Sequence, residues 1–178
     1  MEDGVRLRPV TESDLGQIVR FEWDIDAIGE FDWFGFRMER VRDLERRWRE
    51  DGLIGADSSH LSVVVGNDDT CAGVVEWRPV GRTGNYEIGI ALFPDYRGRG
   101  IGVEAQRLVV EYLFSTTTAH RIQAGTEVDN VAEQKALEKV GFQREGVNRG
   151  HHFRAGEWRD AIMYALLRGE QPGADRAS

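Results

Sequence analysis

Apolar residues along this chain recur at two spacings, two and about three and a half, and the alternation between them lays out the elements. Val5-Arg6-Leu7-Arg8-Pro9 alternates and predicts a short first strand. Thr11-Glu12-Ser13-Asp14 follows with an N-cap and an acid three residues on, predicting a helix to about Glu22. Phe36, Val41, Leu44 and Trp48 share one helical face over residues 35–50, and Arg37, Glu39, Arg40, Glu45 and Arg49 make the other face solvated charge. Two runs, His60 to Val65 and Cys71 to Trp77, flank the turn Gly66-Asn67-Asp68-Asp69-Thr70 and predict a hairpin. The turn Gly81-Arg82-Thr83-Gly84-Asn85 leads into Tyr86 to Phe93, a mostly apolar strand halted by Pro94, which has no N–H for a ladder. Ile101, Ala105, Leu108, Val109 and Leu113 then recur at helical spacing and predict a helix to about Phe114. Arg121 to Val128 reads as a strand, and Asn130-Val131-Ala132-Glu133 is a second capping box, opening a helix that stops at Gly141. Phe142 to Phe153 and Glu157 to Leu167 pair across Arg154-Ala155-Gly156. From Gly169 the composition (Gly, Pro, Ala, Asp, Ser) predicts a frayed tail over residues 169–178.

The resulting order, β-α-α-β-β-β-α-β-α-β-β, calls for an α+β fold. Its sheet is mixed, mainly antiparallel and of six to seven strands, with helices on both faces, in a single domain over residues 1–168. A chain of 178 residues suffices for a substantial core. No run of eighteen apolar residues predicts a membrane span, and the acidic start Met1-Glu2-Asp3-Gly4 has no apolar signal region, so a cytoplasmic protein is expected. The net charge of −8 argues against nucleic acid held by bulk charge. It suits a cationic partner, and equally an ordinary soluble surface. The lone Cys71 excludes an internal disulfide and reads as a buried structural thiol. His60, His120, His151 and His152 show no metal-ligand spacing with one another or with Cys71, so no metal is expected.

Candidate chemistry concentrates at Arg97-Gly98-Arg99-Gly100-Ile101-Gly102, between the strand ending near Phe93 and the following helix. A glycine-rich turn opening a helix leaves backbone N–H groups unpaired with the positive end of the helix dipole behind them, which makes an anion site. The plainer reading is a strand-to-helix turn whose glycines only permit positive φ. The dinucleotide fingerprint G-x-G-x-x-G fails because Val103 stands at its third glycine, and no Gly-Lys-Ser/Thr ending exists for a Walker loop. What is present is Arg97-x-x-Gly100-x-Gly102.

That pattern resembles the [Q/R]-x-x-G-x-[G/A] pyrophosphate loop of the GNAT acyltransferases. A second segment, Asn130-Val131-Ala132-Glu133-Gln134-Lys135-Ala136-Leu137-Glu138-Lys139-Val140-Gly141-Phe142, is similar to that family's N-x-x-(S/A)-x-x-x-L/Y-E-K-x-G-F motif. The element order agrees, so the resemblance spans roughly residues 5–168. It implies an N-acetyltransferase that moves an acetyl group from acetyl-CoA to a primary amine by direct attack in a ternary complex. By the resemblance, the backbone of Arg97, Gly98, Arg99, Gly100 and Gly102 cradles the coenzyme pyrophosphate, with the two arginines adding charge. The pantetheine arm pairs near Ile90 and Leu92, where two parallel strands splay, and Asn130 contacts the cofactor or serves only as an N-cap.

Acyl transfer needs a base for the amine and a donor for the oxyanion. Glu87 lies roughly where several members carry a catalytic glutamate; otherwise it is an outward strand residue. A backbone N–H of the same strand would meet the oxyanion. Many members place a tyrosine where this chain has Leu137, which cannot protonate the leaving thiolate. Either Tyr164 or an ordered water serves, or the thiolate leaves unaided. Leu137 also allows an alternative, a catalytically degenerate CoA-binding regulatory module. The Leu variant and the long final hairpin most resemble the branch containing the ribosomal-protein N-terminal acetyltransferases. The acceptor is expected between the first helices and that hairpin. There Trp23, Asp24, Asp26 and Trp33 lie in a stretch holding five acids and no base, which suits a cationic amine by charge and cation–π contact. A polypeptide N-terminus or an amine-bearing small molecule both qualify; the bland reading is core aromatics with solvated acids. A homodimer is left open.

Overall fold

The structure, a computed structural model, describes residues 4–31 and 40–171. Its strands are β1 (Arg6–Pro9), β2 (Ser59–Val65), β3 (Thr70–Val80), β4 (Asn85–Leu92), β5 (Arg121–Glu127), β6 (Gln143–Arg154) and β7 (Glu157–Leu167). Its helices are α1 (Glu12–Trp23), α2 (Ile25–Ile28), α3 (Val41–Asp51), α4 (Ile101–Thr116) and α5 (Val131–Val140). The strands form one sheet in the order β1-β2-β3-β4-β5-β7-β6. Every pairing is antiparallel except β4 with β5. The expected mixed α+β fold is the one observed.

Local chemistry sets the helix ends. The Thr11 amide donates to Asp14 Oδ2 at 2.9 Å at the start of α1. Asn130 Oδ1 accepts from the Glu133 amide at 3.2 Å at the start of α5, and Gly141 in the left-handed region ends that helix. Strand alternation sorts the core into two layers. Ile88, Ile90 and Leu92 of β4 join the layer beneath α4 and α5, with Ala105, Val109, Leu113 and Leu137. Val10, Leu15, Ile18, Val19, Leu44 and Leu53 form the second layer on the opposite face, where Val74 and Phe93 pack against them. The odd-numbered positions of β4, including Glu87 and Gly89, therefore face the α1–α3 side.

Four expectations change. The second helix begins at Val41, because Arg40 is extended at φ −76° and ψ 140°. No Ser, Thr, Asp or Asn within residues 35–40 marks a start, and residues 35–39, with Phe36, lie outside the described residues. Val41 is exposed rather than inward: it occupies the first helical position, and the core contact starts one turn later at Leu44. Trp48 does turn inward, donating its indole N–H to the Val10 carbonyl at 2.8 Å. The extra short helix α2 is nucleated by Asp24, whose Oδ1 accepts from the amides of Asp26 and Ala27. Strand β3 runs on to Val80 because Arg78 finds Glu87 across the register. Past β7, the Leu167 amide donates to Glu170 Oε2 at 2.9 Å, and Arg168 grips the carbonyls of Phe114, Thr117 and Ala119. Residues 172–178 lie outside the described residues. No helix among the described residues is long and apolar enough to cross a membrane.

Candidate active site

The site is organised by the one parallel pairing. β4 and β5 are in register at Asn85↔Arg121, Tyr86↔Ile122 and Glu87↔Gln123, and their ladder ends there. Beyond it the strands part. α4 packs beneath β4, so the chain must turn at Leu92 and re-enter at Ile101. A 3-10 turn, Pro94–Tyr96, and two glycines at positive φ, Gly98 (70°) and Gly100 (79°), make that reversal. Gly100 caps α4 without a side-chain bond, so the first-turn amides of a sixteen-residue helix point outward with the dipole's positive end behind them. A Cβ at Gly98 or Gly100 would meet nothing within 4 Å, so the space over these amides is open.

A cleft of about 510 Å³ lies over this turn. Ile90, Leu92, Arg97, Gly98, Gly100, Gly102 and Asn130 all line it, together with Lys135 and Lys139 of α5. Arg99 is not among its lining residues; its guanidinium lies over the Tyr96 ring at 5.8 Å. Arg97 lines the cleft but is held by backbone. Its Nε donates to the Leu92 carbonyl at 2.8 Å, and its Nη2 donates to the carbonyls of Ala27 and Ile28 at 2.8 and 2.9 Å. Its guanidinium also covers the Phe21 ring. Arg97 therefore ties α2 to the end of β4.

On the other side of the splay is a smaller cavity of about 160 Å³, and Phe31, Ile90, Asn130 and Glu133 line both. Gly89 and Gly125, on facing strands, line it with bare backbone. Its ionisable groups are Glu127, Glu133 and His152, with Thr126 and Asn130 beside them. Glu127 is 4% exposed, and Arg154 holds both its oxygens, Nε to Oε1 at 2.8 Å and Nη2 to Oε2 at 2.7 Å. The Arg154 hydrogen bonds hold the Glu127 carboxyl below its usual range, against the opposing effect of burial. Arg154 also reaches Glu30 at 3.4 Å and lies over the Phe31 ring at 5.3 Å, so the hairpin clasps the segment after α2. Buried Gln106 of α4 donates to Glu133 Oε1 at 2.7 Å and fixes that carboxylate. Burial, and then the neighbouring His151, lower the His152 pKa, while Glu127 and Glu87 pull it up.

Several residues singled out in the sequence sit elsewhere. Glu87 lines neither cavity; it accepts from Arg78 across the register and from Gln123 Nε2 at 3.0 Å. Leu137 is buried in the core, and Tyr164, also buried, donates its hydroxyl to Glu138 at 3.3 Å beneath the sheet. Trp23 is exposed, Asp24 caps α2, Asp26 is exposed, and none of the three lines either cavity. Trp33 lies outside the described residues. Phe21 is core, packed on Phe93. Among the described residues of that stretch, Ile28, Gly29, Glu30 and Phe31 line the cleft. Glu127, Glu133, Arg154 and His152 went unread, because nothing local in the sequence links positions 27 residues apart. The paired His151-His152 in the hairpin was the one visible hint.

Residues 5–143 match the acetyltransferase (GNAT) domain family. This chain is a GNAT acetyltransferase. The probable N-acetyltransferase YjcK of Bacillus subtilis is 32% identical over 131 residues, which is 72% of this chain and 70% of that one. The spermidine N(1)-acetyltransferase of Escherichia coli K12 is 27% identical over 164 residues, 92% and 86% of the two chains. The [ribosomal protein uS5]-alanine N-acetyltransferase of Escherichia coli matches only 44% of this chain and 41% of that one, at 29% identity. Among solved structures, the spermidine N-acetyltransferase of Vibrio cholerae, crystallised with CoA and spermine, superposes with a TM-score of 0.81 at 21% identity, covering 93% and 96%. The fold is thus shared nearly end to end. As a GNAT enzyme this protein transfers an acetyl group from acetyl-CoA to an amine. The open amides at Gly98–Gly102 and the two lysines beside them fit a pyrophosphate, and the β4–β5 splay fits an extended arm.

Proposed function

We propose that this GNAT enzyme acetylates a small, cationic alkylamine of the polyamine kind, entering from the α2 and β6–β7 side. The observation that carries this reading is the wall of the smaller cavity. Two carboxylates, Glu127 and Glu133, line it, and a third, Glu30, stands at the clasp beside it. About 160 Å³ admits one slender arm, and the three carboxylates outnumber the single guanidinium, Arg154, that Glu127 and Glu30 share, which leaves a net negative wall that favours a positive charge on that arm. The similarity to spermidine N(1)-acetyltransferase runs over almost the whole chain, whereas that to the uS5-alanine enzyme covers under half. The expected ribosomal-protein branch therefore has less support than the polyamine enzymes.

On the coenzyme side, the amides of 98–102 hold the pyrophosphate, Lys135 and Lys139 add charge, and Ile90 to Leu92 pair with the pantetheine. Asn130 caps α5 while facing both cavities. Arg97 keeps α2, and with it Glu30 and Phe31, against the cleft.

The test is an acceptor panel with acetyl-CoA: a linear triamine, a diamine, a monoamine of equal length, an aminoglycoside and peptides with free N-termini. The triamine is expected to show a KM at least about ten-fold below the monoamine, worth roughly 1.4 kcal/mol, and rising with ionic strength. Faster turnover of the peptides than of any polyamine would sink the proposal.

A further inference from the structure

The β4–β5 splay holds one titratable imidazole, and it comes from neither strand. His152 reaches the cavity from β6 and lines it with Gly89, Ile90, Glu127 and Glu133. Its imidazole makes no hydrogen bond among the described residues; its close ring contact is with His151, centroids 4.6 Å apart. Glu87, by contrast, is bonded twice and lines neither cavity. Leu137 and Tyr164 are committed to the core, so neither offers a proton to a leaving sulfur in the cleft. One proton carrier placed where nitrogen meets thioester would answer both needs.

We propose that His152 is that carrier: its imidazole takes the proton from the attacking nitrogen and returns it to the departing sulfur. This rests on the acceptor side being the smaller cavity, as in the reading above. The bound ammonium first loses one proton to solvent. As the neutral nitrogen forms its bond to the acetyl carbon, it gains positive charge and becomes acidic, and His152 takes its proton. The C–S bond then breaks, its electron pair leaves on the coenzyme sulfur, and the imidazolium protonates that sulfur. Amide and thiol result, and the imidazole ends as it began. An imidazolium is a stronger acid than a thiol, so the second transfer runs downhill.

The charged groups around His152 are Glu87 on β4, Glu127 on β5, Glu133 on α5, His151 and Arg154 on its own strand, and Arg159 opposite it on β7. Arg154 neutralises Glu127, while burial and His151 favour the neutral imidazole, so His152 is unprotonated and ready at neutral pH.

The test compares His152→Gln, Glu87→Gln and His151→Gln, each on whichever amine the wild-type enzyme acetylates best. Histidine resonances are titrated by NMR in the free protein, and CoA affinity is measured by calorimetry. His152→Gln is expected to lower kcat by about 100-fold or more. It should also erase the acid limb of the kcat pH profile and leave CoA affinity within about two-fold, well under the 1.4 kcal/mol of a tenfold change. The NMR pKa of His152, below the ordinary histidine range, should coincide with the acid limb of kcat/KM. His151→Gln should keep the limb and move it to higher pH. The proposal is overturned if the limb survives His152→Gln, or if Glu87→Gln removes it instead. A wild-type preference for an uncharged or peptidic amine would defeat the polyamine reading alone, since the His152 profile is recorded on that amine too.

Discussion

On the proposed coenzyme side of the β4–β5 splay, the groups open to the cleft are backbone amides within one contiguous turn, 98–102. On the proposed amine side they are side chains gathered from the segment after α2, β5, α5 and β6, and the clasp from Arg154 to Glu30 spans 124 residues. The two sides also use their charges differently. Arg97, beside the glycine turn, is anchored on three carbonyls, while Arg154, beside the smaller cavity, is anchored on two carboxylates. Backbone recognition tolerates changes of side chain as long as the turn forms. Recognition built from side chains fails when any one partner is removed, and it lets acceptors diverge while the donor stays the same.

The largest blow to the amine side is Arg154→Ala. It leaves Glu127 buried without its partner and should cost about 3 kcal/mol or more in urea unfolding. Pairing Arg154→Met with Glu127→Leu should recover most of that stability but not acceptor binding. Intact stability in the single variant would show that the clasp holds nothing together.

Acidification separates the clasp from a second buried acid remote from it. Burial alone would raise the Asp14 pKa, but bonds from Arg8, Thr11 and Ser62 outweigh it and hold it at about 2. A folded-state pKa below the unfolded value of 3.8 gives stability that is complete above about pH 4 and lost as pH falls toward 2. That loss is about 2 kcal/mol for Asp14, with the depressed Glu127 adding to the same slope. Asp14→Asn should flatten the acid limb of the unfolding curve, leaving the part that Arg154→Ala removes. An unchanged slope in Asp14→Asn would refute the assignment.

Arg97→Lys sharpens the coenzyme side. A lysine cannot bridge Leu92 to Ala27 and Ile28 at once, so about 1–2 kcal/mol of stability should go, with faster proteolysis near α2 and a raised amine KM. If only CoA affinity fell, Arg97 would be a phosphate ligand instead. The smallest expected change is Gly100→Ala. Its Cβ meets no atom, but φ of 79° strains any residue other than glycine by about 1 kcal/mol. CoA binding should weaken with amine KM unchanged, measured by calorimetry and initial rates.

Much of this architecture was legible along the chain. The capping pairs Thr11/Asp14 and Asn130/Glu133, the stop at Gly141 and the glycines at 98 and 100 are local devices, and the structure uses each where the spacing put it. The residues between Phe21 and Phe31 were harder. Aromatics and acids alternate there, and only packing separates Phe21 in the core, Asp24 as a cap and Phe31 at the cavity.

The sequence by itself determined the glycine turn at 97–102, because amides in a short contiguous segment need only local backbone geometry to converge. The tertiary structure alone decided which carboxylates line the smaller cavity. It paired Glu87 with Arg78, sent Leu137 and Tyr164 into the core, and brought His152 of β6 to the gap between β4 and β5. Side chains take their partners from whatever the sheet order makes adjacent, and β7 lies between β5 and β6 only once the sheet is assembled.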